Sequence, residues 1–93
     1  MNQHDSAEIL AIRVLGWLIA QPDELGAFLN QSGVDTGQIA AMASQPTFLA
    51  AVLDFLLEAD ARVIAFCDDQ GLNYNEIGQA RARLPGGDLP NWT

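Results

Sequence analysis

Apolar residues recur along this chain at helical spacing, and prolines, glycines and short polar clusters cut the pattern into six segments. The first holds Ile9, Leu10, Ile12, Val14, Leu15, Trp17, Leu18 and Ile19. It is apolar on most sides, which predicts a central helix. Asp5, with Glu8 three residues later, has the spacing of a reciprocal N-terminal cap for it. Pro22 opens the second segment where a helix tolerates proline, and Asp23 and Glu24 follow where the helix dipole favours acids. That helix is expected to bury Leu25, Phe28 and Leu29, and Gly33 to end it as a left-handed cap. Asp35 with Gln38 opens a third helix through Ile39 and Met42.

Pro46 opens the fourth helix, over 46–58, buried except along the stripe Thr47, Ala51, Asp54 and Glu58. Asp60 starts the fifth, with Val63, Ile64, Phe66 and Cys67 expected to face inward and Gly71 to end it. Asn73 with Glu76 caps the sixth, which runs from Ile77 to Leu84, and Pro85-Gly86-Gly87 then stops helix formation. Apolar and polar residues nowhere alternate at period two, so no strand signal competes. The fold class is therefore all-α, with six short helices in one domain over 1–93 and an irregular tail over 85–93.

The punctuation recurs. At an offset of 38 residues Val14 falls on Val52, Leu15 on Leu53, Trp17 on Phe55, Leu18 on Leu56 and Phe28 on Phe66. Gly33 falls on Gly71, Ile39 on Ile77, and Asp35…Gln38 on Asn73…Glu76. The matches are core and cap positions, which carry the physical constraint. This predicts two similar three-helix units, 5–44 and 45–84. Neither is large enough to be comfortable alone, so the two are expected to share one core.

Charge narrows the function. Of 93 residues 49% are hydrophobic and 17% charged, with twelve acids against four arginines, no lysine and a net charge of −8. Such a chain repels phosphate backbones and anionic membrane surfaces. The single cysteine, Cys67, excludes an intramolecular disulfide. The first residues lack a basic region before an apolar run, so no secretory signal is read. The apolar stretch 9–20 is interrupted by Arg13 and too short to span a bilayer. The expected location is the cytoplasm.

Several residues carry candidate chemistry. The runs 25–42 and 63–80 have the grammar of a helix-turn-helix, with glycine at the turn and an apolar anchor six residues on. Yet Leu29 and Cys67 stand where that motif takes a small residue. Helix 36–43 has no basic residue, and Arg81 and Arg83 follow Asp68, Asp69 and Glu76. Phosphate contacts supply most of a DNA-binder's affinity, so nucleic acid is an alternative rather than the main reading.

Asp68, Asp69, Asn73, Asn75 and Glu76 are oxygen-rich but miss the glycine and bidentate-acid positions of a calcium loop. Asp68 and Asp69 occupy the last turn of a helix, where the dipole disfavours acids. They are candidates for an acidic face presented to a basic partner. Trp92, at the end of a Pro/Gly segment, either docks back on the domain or is presented to a partner. Cys67 beside two aspartates lacks the cation or base that makes a reactive thiolate. His4 has no orienting partner at useful spacing, and Asp54 lies on the outer stripe of its helix. No residue is read as catalytic, cofactor-binding or metal-ligating.

The chain resembles an uncharacterised domain-of-unknown-function family of small, acidic, all-helical proteins common in alphaproteobacteria. The resemblance rests on Ala7-Glu8 with the Leu/Ala-rich helix after it, on Gln21-Pro22 before Leu25 and Phe28, and above all on the run from Gln45-Pro46-Thr47-Phe48 to Leu53-Asp54. It implies a helical fold and a bacterial cytoplasmic setting, and it brings no activity, cofactor or site residues. The sequence thus points to a non-enzymatic cytoplasmic adaptor meeting another, basic protein. The alternative is a helix-turn-helix-like nucleic-acid-binding protein, and a small-molecule-binding protein or enzyme comes third.

Overall fold

The computed structural model describes residues 3–85, with side chains from Ser6 onward. Six α-helices follow in order: α1 (Gln3–Ile19), α2 (Pro22–Ser32), α3 (Ile39–Met42), α4 (Pro46–Leu57), α5 (Asp60–Gln70) and α6 (Asn75–Ala82). A 3-10 turn, Thr36–Gln38, leads into α3, and there is no strand among the described residues.

Local chemistry accounts for most boundaries. Pro22 and Pro46 each occupy the start of a helix, and the residue before each is extended (Gln21 ψ 97°, Gln45 ψ 120°), as the clash with the proline ring requires. Gly33 (φ 77°) and Gly71 (φ 71°) end α2 and α5 in the left-handed region. Their N–H groups donate to the carbonyls of Leu29 and Cys67. The two expected caps also form their back-bonds. The Asp35 N–H donates to Gln38 Oε1 at 3.0 Å, and the Asn73 N–H to Glu76 Oε2 at 2.9 Å.

Boundaries differ from expectation at α1, α3 and α6, the last running Asn75–Ala82 rather than to Leu84. α1 already begins at Gln3, so Asp5 lies inside its first turn rather than before it; nothing in Gln3 or His4 breaks a helix. The third helix is one α-turn after a 3-10 start. Few residues separate its cap from Pro46, and Gly37 weakens helix formation there.

α1 and α4 pack against each other at the centre. Val14, Leu18, Val52, Leu53 and Leu56 are sealed between them and their neighbours. Each such side chain contributes about 1.5–3 kcal/mol through removal from water. α2 lies on α1, α5 on α4, and α6 rests on both central helices.

One pair of ring contacts follows the 38-residue offset. Trp17 meets Phe66 edge-on at 5.6 Å, and their counterparts Phe55 and Phe28 meet edge-on at 5.4 Å. The third helices break the correspondence, since α6 is twice the length of α3 and packs on α1 and α4.

No single helix among the described residues is long and apolar enough to cross a membrane. The apolar run of α4 is instead spent on the core, where Phe48, Leu49, Val52, Leu53, Phe55 and Leu56 are buried.

Candidate interaction surface

Not every apolar residue reaches the core. On α5, Val63, Phe66 and Cys67 point inward as expected, but Ile64 is 43% exposed. Leu57, the last residue of α4, is 38% exposed and Tyr74, ahead of α6, is 51% exposed. Ile64 stands two residues before Phe66, about 200° around the helix from it, and faces out once Phe66 faces in. Leu57 shares the face of the buried Leu53 four residues earlier and is exposed because α4 ends there. A second exposed set, Ile9, Ile12 and Ile19, lies on the outer side of α1, which is central but not enclosed.

Leu57, Val63, Ile64 and Tyr74 converge on an open depression of about 440 Å³, with Asp60 and Asn75 at its edge. The capping turn at Asn73 and Glu76 sets the start of α6 and so holds Tyr74 in place. The Tyr74 hydroxyl donates to Asp68 Oδ1 at 2.9 Å. This bond, followed by the charge of Asp68, raises the Tyr74 pKa. It also answers the question that Asp68 poses in the sequence. An acid disfavoured by the helix dipole here accepts a hydrogen bond from across the Gly71 corner. Asp69 lies beside it, exposed, and accepts from its neighbour Gln70 at 3.2 Å.

Of the residues picked out in the sequence, Asp68 reaches this site only through its bond with Tyr74, and neither Asp68 nor Asp69 lines the depression. Trp92 lies outside the described residues, as does the side chain of His4. Sequence reasoning missed Leu57, Ile64, Asp60 and Tyr74. The offset of Ile64 from Phe66 becomes a signal only once the inward face is known, and no spacing marks Leu57.

Other features take structural roles. Cys67 is buried, with its sulfur 3.7 Å from the Asn73 carbonyl. Burial first, then the charges of Glu76 and Asp68, push its thiol pKa up. Asp54, on the outer stripe of α4, receives Arg81 through two bonds, Nε at 2.6 Å and Nη2 at 3.2 Å. Arg81 Nη1 also donates to the Pro85 carbonyl. One of the two arginines available to a recognition helix is thus held inside the protein. A smaller cleft of about 200 Å³ separates α1 from α6, with Ile9, Leu10, Arg13, Glu76 and Arg83 in its walls. No three His, Cys, Asp or Glu side chains converge as metal ligands among the described residues.

These features define a small all-α protein with glycine-cornered helices and an apolar depression with Asp60 in its lining. The chain belongs to the family described as Protein of unknown function (DUF3572), whose model matches residues 4–87. No curated protein and no solved structure matches it.

Proposed function

We propose that this is a cytoplasmic, non-enzymatic interaction domain that binds another protein through the depression at Leu57, Ile64 and Tyr74. The observation that carries this reading is the exposure of three large apolar side chains around one concavity, with the Asp60 carboxylate in its lining. Exposed apolar groups gathered in one place mark binding surfaces more often than scattered ones do. An apolar centre with a polar rim is also the usual anatomy of a protein interface.

Charge supports the choice of partner class. The net charge of −8 repels nucleic acid and anionic lipid. Arg81, which a nucleic-acid reading needs, is committed to Asp54.

The test is a low-salt affinity capture from the native host with the wild type and with Ile64→Asp. Ile64 is exposed, so the variant is expected to fold. The reading predicts a protein recovered by the wild type and lost with the variant. Recovery that is equal for both would count against it.

A further inference from the structure

The depression itself describes its occupant. Its lining is mostly apolar, and three of its residues, Asp60, Val63 and Ile64, lie on α5. Asp60 opens that helix and borders the depression, and Asp68 reaches the same side through Tyr74. Eight residues separate the two acids along α5, an axial distance of about 12 Å.

No cation of this chain serves either carboxylate among the described residues. Arg13 bonds Gln70, Arg62 bonds Glu24, Arg81 bonds Asp54, and Arg83 lines the cleft between α1 and α6. A basic partner would meet no competing cation of this chain at either carboxylate among the described residues.

Resting on the interaction reading above, we infer that the occupant is a basic amphipathic helix of another protein. It lies along α5 with one aliphatic side chain in the depression. Residues seven apart on a helix are about 10.5 Å apart along its axis and on nearly the same face. Two Lys or Arg at that spacing match Asp60 and Asp68, and a Leu midway between them falls over Leu57 and Ile64. Apolar burial supplies the anchor, while the rim charges select a basic partner and speed its approach. Helix-in-groove binding of this type reads its ligand by such spaced anchors.

The experiment uses the full chain, labelled with ¹⁵N, and three synthetic helical peptides. The first has two Lys seven apart with a Leu between them. The second replaces both Lys by Glu, and the third replaces the Leu by Ser. The inference predicts saturable amide shifts from the first peptide, concentrated at Leu57, Ile64 and Tyr74. Asp60→Asn and Asp68→Asn are each expected to weaken that binding by about fivefold, and added salt to weaken it further. Equal or tighter binding of the Glu peptide at the depression overturns the basic partner but leaves the interaction reading standing. Equal binding of the Ser peptide, or shifts centred on Ile9, Ile12 and Ile19, overturns the depression as the docking place. No shift from any peptide at about millimolar concentration overturns the inference. Only if Ile64→Asp also leaves host capture unchanged does the interaction reading fall with it.

Discussion

Glu24 and Arg62 occupy the same position at the 38-residue offset and bond to each other, Oε2 to Nε at 2.8 Å. The pair bridges α2 and α5. Arg62 does more than Glu24. Its Nη1 donates to the Phe55 carbonyl at 3.1 Å, and its guanidinium carbon stands 3.9 Å over the Phe55 ring. Arg62→Ala is therefore expected to cost about 1.5–3 kcal/mol, and Glu24→Ala about 1 kcal/mol or less. A double-mutant cycle by denaturant unfolding checks this. Coupling near 1 kcal/mol fits a partly exposed pair. Equal costs for the two single variants would count against the ring and carbonyl contacts.

The corners at Gly33 and Gly71 make a second prediction. Both have positive φ, and a Cβ added at either would meet nothing within 4 Å. Backbone conformation alone is thus at stake. Gly33→Ala and Gly71→Ala should each destabilise by about 1–2 kcal/mol. Thermal or denaturant midpoints measure it, and unchanged midpoints would show that the corners tolerate a side chain.

Cys67 should behave as a core residue. It is buried, and its thiol pKa is raised by that burial and by two nearby acids. A thiolate is the reactive form, so a thiol reagent at neutral pH should modify the native protein far more slowly than the unfolded one. Rates that match in the two states would contradict the packing described for α5.

Tyr74 offers an optical test of the depression, because it is the only tyrosine in the chain. Its hydroxyl bond to Asp68 and the charge of Asp68 raise its pKa. Phenolate absorbance should therefore appear at higher pH in the native protein than in the unfolded chain. The folded value is the higher one, so the associated stability is fully present below the ordinary tyrosine range. It is lost as pH rises through the folded pKa. Asp68→Asn should move the titration back towards the ordinary value.

Much of the fold is legible in the chain because its boundaries are set locally. Pro22, Pro46, Gly33 and Gly71 act through their own backbone chemistry, and the Asp35–Gln38 and Asn73–Glu76 caps close over three residues. The candidate surface was less legible because it depends on rotation about a helix rather than on residue type. Val63, Ile64 and Phe66 are all apolar, but only the direction of the core tells which of them turns away. Tyr74 and Asp68 meet across the Gly71 corner, a tertiary contact that spacing alone does not specify. The exposed side of α1 is illegible in the sequence for a related reason. A helix that is apolar all round reads as enclosed, whereas here Ile9, Ile12 and Ile19 face out.

The central claim is that Leu57 and Ile64 are exposed for binding and contribute little to the core. One double variant, Leu57→Gln with Ile64→Gln, tests it most directly by capture from the native host after its unfolding midpoint has been measured. The account predicts a stability within about 1 kcal/mol of the wild type, as for surface positions, together with loss of the captured partner. A variant that unfolds several kcal/mol more readily, or that keeps its full capture, would contradict it.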